Sequence, residues 1–168
     1  SGWRQLQTIL ATMGDSFNDE KSWEYIEKLI PSTFSTTSSK DVFNLVSNGE
    51  YVVGLSYESS VAAIIKDGAP IRIVYMEEGN TAMPGGVAIV KSAPNPTAAE
   101  AMVDLISSAE FQDARDQASA GRPSNGKAEL FDLPDQEDLN IVELDYDYLQ
   151  KNREDIINRW NELYTELT

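Results

Sequence analysis

Two runs of β-branched and aromatic residues, Tyr51-Val52-Val53-Gly54-Leu55 and Ile71-Arg72-Ile73-Val74-Tyr75, flank a short helical sequence at residues 61–66 that Asp67-Gly68 stops. Strand, helix and strand within about 25 residues predict a βαβ unit, with parallel pairing and a right-handed crossover. A third run, Val87-Ala88-Ile89-Val90, follows a polar, glycine-containing loop at residues 77–86, and helices are expected after it at 97–106 and 111–118. Apolar runs without alternation suit strands covered on both faces. The fold class expected from this order is α/β, an open mixed sheet flanked by helices.

Helical spacing is clear at both ends of the chain. Trp3, Leu6, Ile9, Leu10 and Met13 recur at steps of three and four before Gly14. Residues 19–30 place Trp23, Tyr25, Ile26, Leu29 and Ile30 on or near one face, and Pro31 ends that helix. The final helix is expected from Tyr146 onward, with Leu149, Ile156, Trp160 and Leu163 as its apolar face. Trp3 stands almost at the start of the sequence, as expected of a fragment or of a chain whose beginning has been removed. Between these helices, Ser38-Ser39-Lys40-Asp41 leads into Val42, Phe43, Leu45 and Val46, which reads as an N-cap with an acidic capping-box partner.

Composition removes much chemistry. The chain has no cysteine and no histidine, which excludes thiol nucleophiles, histidine-based triads, redox pairs and cysteine or histidine zinc sites. Carboxylate, hydroxyl, phenol, lysine and backbone groups remain. Thirteen basic residues against 28 acidic give a net charge of −15, which opposes any grip on nucleic acid through its phosphates. No apolar run is long enough to cross a bilayer, and any export signal is expected upstream or already removed. No nucleophile elbow or phosphate loop occurs, so no catalytic residue, metal ligand or cofactor is nominated.

The segment Asn48-Gly49-Glu50-Tyr51-Val52-Val53-Gly54-Leu55-Ser56-Tyr57-Glu58, followed by Lys66-Asp67-Gly68-Ala69-Pro70-Ile71, Glu78-Gly79, Pro84, Gly86-Val87-Ala88-Ile89-Val90-Lys91 and Asn95-Pro96, resembles the extracytoplasmic solute-binding proteins of bacterial ABC importers. The similar branch is the one for ferric iron, phosphonates and sugar phosphates. The resemblance implies a two-lobed clamp of the periplasmic-binding-protein type, of which this chain is the second half. Residues 1–77 would be the second-lobe α/β core, 78–86 the hinge crossing, 87–120 a strand and helices of the first lobe, and 121–168 the return segment and C-terminal helix. It further implies capture of a small anionic or polar solute, such as an iron complex, a phosphonate or a sugar phosphate. The implied partners are the membrane subunits of an ABC permease and the missing N-terminal half of the same protein. The implied location is extracytoplasmic, in the periplasm or lipid-anchored at the cell surface, and the implied role is not enzymatic. Iron-binding members carry adjacent tyrosines at positions that fall near Ser59 and Ser60 here, and this sequence has no such pair. Tyr57-Glu58 offers one phenol and one carboxylate, which suits a polar organic ligand or a chelated metal.

The residues expected to touch the ligand are Ser38 and Ser39 at a helix start, Tyr57 and Glu58 at the end of a strand, Asn80 and Thr81 in the crossing loop, and Ser1 and Gly2 at the first helix start. Helix N-termini present unpaired N–H groups and the positive end of the dipole, which favour anions. Each of these residues also has a plainer role open to it, as a cap, a packing aromatic or a loop residue. Two other classes compete: the ligand-sensing domain of a regulator, which would carry a helix-turn-helix upstream, and a small α/β hydrolase or transferase, which would turn over a phosphate ester.

Overall fold

The computed structural model describes residues 2–124 and 133–168. The helices are α1 (Gly2–Thr12), α2 (Glu20–Leu29), α3 (Ser39–Ser47), α4 (Glu58–Lys66), α5 (Pro96–Ser107), α6 (Ala109–Ser119), α7 (Tyr146–Lys151) and α8 (Arg153–Leu167), with 3₁₀ turns at Ile30–Ser32 and Gln136–Asp138. Packing divides the chain into two units. One comprises Ser1–Ser56, Val74–Ala82 and Gln136–Thr168, the other Tyr57–Ile73 and Met83–Asp135.

The core of the first unit is helical. Leu6 and Leu10 of α1, Trp23 and Ile26 of α2, Ile30, Leu149 of α7 and Ile156 of α8 form one buried cluster, and Trp3, Ile9, Phe17, Trp160, Leu163 and Tyr164 pack against it. These are the faces the helical periodicity marks, apart from Tyr25, which turns to solvent. The corner between α1 and α2 is built by side chains. Asp19 caps α2, its carboxylate accepting from the amides of Ser22 (3.0 Å), Asp15 (2.7 Å) and Ser16 (3.0 Å). A Cβ on Gly14 would stand 2.0 Å from Asp19 Oδ1, so this glycine is kept for close approach to the carboxylate. Asn18, at φ 60°, accepts from Trp23 Nε1 (2.8 Å) and donates to Tyr148 Oη (2.8 Å). The C-terminal helix breaks at Asn152 into α7 and α8, and Asp145 caps α7 through the amide of Tyr148 (2.9 Å). In α8, Arg159 grips Glu20 with two N–H bonds (3.0 and 2.7 Å) and lies 4.4 Å from the centroid of the Trp23 ring.

Amide hydrogen bonds hold the Asp19 carboxyl below its ordinary value of 3.8, and the Arg159 guanidinium holds Glu20 below 4.5. Both groups are charged more readily folded than unfolded, so their contribution is present above the unfolded values and is lost as pH falls through the folded ones. Melting temperature should therefore be level between pH 5 and 7 and decline below about pH 4. In Asp19→Asn that decline should be shallower; an unchanged acid profile would remove Asp19 from this role.

The α/β expectation is overturned. The described residues contain no strand and no sheet; a single isolated parallel bridge joins Asn80 and Ile141. The backbone around it is held by Asn80 N to Asn140 O (2.7 Å) and Val142 N to Asn80 O (2.8 Å). The three apolar runs read as strands make no ladder, and Val52, Val53, Val74 and Val90 are 94%, 75%, 70% and 69% exposed. β-propensity describes how a residue fits a paired, half-buried surface, and pairing requires a second strand that nothing local supplies. The expected sheet-based lobe does not describe this structure.

In the second unit α5 and α6 pack together, joined at Ser108, whose hydroxyl accepts from the amide of Phe111 (3.2 Å) and caps α6. Asn95 caps α5 by accepting from the amide of Ala98 (3.3 Å), with Pro96 at the first helical position.

Candidate functional site

The expected ligand residues are distributed over both units. In the first unit, Ser38 is the N-cap of α3 without using its side chain, and Ser39 opens the helix. The hydroxyl that organises this start is Thr36, which accepts from the amide of Ser38 (3.2 Å) and donates to Asp41 Oδ2 (2.6 Å). Ser38 thus keeps the N-cap position, and Thr36 links its amide to Asp41 in the first turn. Asn80 closes its own loop: its amide donates to Met76 O (3.0 Å), and its carbonyl accepts from Met76 N (3.3 Å). In the second unit, Tyr57 is the backbone N-cap of α4 and its side chain is 43% exposed. Glu58, in the first turn of α4, accepts two bonds from Arg122, from Nε (2.6 Å) and Nη2 (3.0 Å), and Arg122 also donates to Pro134 O (2.7 Å). This half-buried, forked pair gives Glu58 a defined partner 64 positions away. Ser1 lies outside the described residues, and Gly2 begins α1.

A polar cluster forms on α1. Gln5 and Thr8 stand three positions apart and share one face of the helix, opposite Leu6 and Leu10. Gln5 Nε2 donates to Ser56 O (2.7 Å), and the hydroxyls of Thr8 and Thr81 meet at 2.6 Å. Ser56 and Thr81, 25 positions apart in sequence, are therefore both fastened to the same helix. Thr8 also donates to Arg4 O (3.1 Å), and Thr12 to Thr8 O (2.8 Å). Two oxygens here have no partner although covered, Ser56 Oγ and Gln7 Oε1. Of this cluster, only Thr81 is among the residues expected to touch the ligand; Gln5, Thr8 and Ser56 are not. The available signal was a pair of polar residues at helical spacing on the face away from the apolar stripe.

Charge distinguishes the start of α1. Helices α2, α3, α4, α6, α7 and α8 carry an acidic residue in the first turn, where it answers the helix dipole. The first turns of α1 and α5 have none, and that of α1 contains Arg4. The surface concavities lined by Asn161, Glu162, Thr165 and Glu166, and by Gln136, Glu137, Leu139 and Ile141, share no residue with this cluster. Among the described residues, no three carboxylates gather closely enough to hold a metal ion, and no helix is long and apolar enough to cross a membrane.

The bacterial extracellular solute-binding protein family matches residues 2–139. The chain belongs to this family. This is a family of solute-binding proteins and not of enzymes. It is also similar to an uncharacterized protein of Haemophilus influenzae, with 30% identity over 107 residues, which is 63% of this chain and 31% of the relative. The matched segment thus spans less than a third of that relative. No solved structure matches.

Gln7 supplies a stability test within the site. It is 4% exposed and its carbonyl is unpaired, and a covered acceptor without a donor costs roughly 1–3 kcal/mol. Gln7→Met, similar in size and without that acceptor, should raise the melting temperature by a few degrees. A lower melting temperature would mean that the amide is satisfied in solution.

Proposed function

We propose that this solute-binding protein captures a small anionic or strongly polar solute at the α1 cluster and delivers it to the membrane subunits of an ABC importer. The observation that carries this is the first turn of α1: in a chain of net charge −15 it holds no carboxylate and one arginine, and its helix bears Gln5 and Thr8 on the polar face. Unpaired N–H groups and the positive dipole end favour an anion there. Gly2, Ser56 and Thr81 would line the site, and Ser39 would contribute a further polar contact. The solute classes in view are iron complexes, phosphonates and sugar phosphates. The absence of a tyrosine pair speaks for an organic anion over a directly ligated iron. The reading includes periplasmic or lipid-anchored placement. It also includes an N-terminal half of the same protein. Calorimetric titration of the chain with inorganic phosphate should give saturable binding at one site. A chain that takes up neither phosphate nor any phosphate ester would contradict the proposal.

A further inference from the structure

We infer that the polar side of α1 is a fixed seat for the chain's passages between the two units, and that the freedom of the second unit to turn begins just beyond it, at Met83-Pro84-Gly85-Gly86. This seat is independent of the proposed solute capture.

The chain passes between the units four times, after Ser56, Ile73, Ala82 and Asp135. Three of these passages are tied down on the first-unit side. Ser56, the last residue before the first passage, accepts from Gln5 Nε2 at its carbonyl oxygen (2.7 Å). Thr81, one residue short of the third, meets the Thr8 hydroxyl at 2.6 Å, whichever of the two donates. Asn80 N donates to Asn140 O (2.7 Å) and Val142 N to Asn80 O (2.8 Å), so the outgoing loop is bonded to the segment that enters the first unit after the fourth passage. Gly79 lets them meet: at its φ of 139° a Cβ would stand 2.4 Å from Val142 Cγ2 and 3.1 Å from Thr12 Cγ2. Gln5, Thr8 and Thr12 follow one another along α1 at steps of three and four, on one side, while Leu6 and Leu10 on the other are buried in the core. One helix is thus held by the core and holds the passages.

Beyond the seat the restraint ends. Gly85 and Gly86 have nothing within 4 Å of the place a Cβ would occupy, and neither takes a positive φ. Without a Cβ their backbone is free to turn. Val74, at the second passage, is 70% exposed. The loop at residues 78–86 therefore has a held part, 78–81, and a free part, 83–86.

The chain has no cysteine, so paired spin labels can be placed without background. Labels on Lys28→Cys in the first unit and Asp104→Cys in the second, both exposed positions, read motion between the units by pulsed electron spin resonance. Lys28→Cys with Glu162→Cys reads the first unit alone. Gln5→Met with Thr8→Val, each close in size to the original, should broaden the distance distribution between the units and leave the one within the first unit unchanged. In Thr8→Val, loss of one hydrogen bond should quicken amide exchange at Asn80 and Val142 about two- to tenfold. Gly85→Ala with Gly86→Ala should narrow the distribution between the units, because the added Cβ atoms restrict a backbone that has room for them. An unchanged width between the units in the α1 variant, or an equal broadening within the first unit, overturns the seat. An unchanged width in the alanine variant overturns the pivot, and that variant carries the test should the α1 variant fail to fold.

Discussion

Trp23→Ala should lower the stability of the first unit by about 3–5 kcal/mol, which for a chain of this size is a fall in melting temperature of roughly 10 °C. Trp23 is 1% exposed and sits in the cluster with Leu10, Ile26 and Ile156. Truncation removes the indole from that cluster and leaves a cavity that α1, α2 and α8 can only partly close. It also orphans Asn18 Oδ1, which accepts the indole N–H at 2.8 Å, and it removes the ring beneath Arg159. Trp23→Phe keeps most of the apolar volume and loses the hydrogen bond, so its cost should be well under half as large. Circular dichroism at 222 nm during heating reads both variants. A Trp23→Ala protein melting within 2 °C of the parent would mean that this cluster is not what holds the helices together.

Arg4→Glu should weaken binding of inorganic phosphate by about tenfold or more. The substitution removes a positive charge from the first turn of α1 and places a carboxylate there, where it would occupy the dipole end in place of the solute. Favourable charge placement at a helix end is worth roughly 0.3–1 kcal/mol, and reversal adds direct repulsion of the anion. Lys91→Glu changes the net charge equally, at a position in the second unit, and should leave affinity within about twofold. Equal losses in the two variants would assign the effect to overall charge and withdraw α1 as the anion site.

The helical core was legible because its signal is local. A period of 3.6 residues places Leu6 with Leu10 and Trp23 with Ile26 whatever the rest of the chain does, and those residues are the buried ones. Strand pairing has no such local warrant. Val52, Val74 and Val90 have the branched side chains of a covered strand, yet they stand in solvent because a ladder depends on residues far away in sequence. Fine placement failed for a related reason: hydroxyls at residues 32–39 are so dense that sequence could not tell Thr36 from Ser38 as the one organising α3. In the α1 cluster, Thr81 could be named as a candidate from its position in the loop, but the reach of Gln5 to Ser56 across 51 residues could not. Nor could the forked grip of Arg122 on Glu58, which leaves that carboxylate paired within the chain.

The most direct measurement of the site is a titration of the ¹⁵N-labelled chain with glycerol 3-phosphate, followed by two-dimensional NMR. If α1 captures the solute, the amides of Trp3, Arg4 and Gln5 should shift first and furthest, with Thr8, Ser56 and Thr81 moving along the same saturation curve. Shifts confined to other elements, such as α5 or the acidic end of α8, or no shifts at millimolar ester, would contradict the assignment of α1 as the solute site.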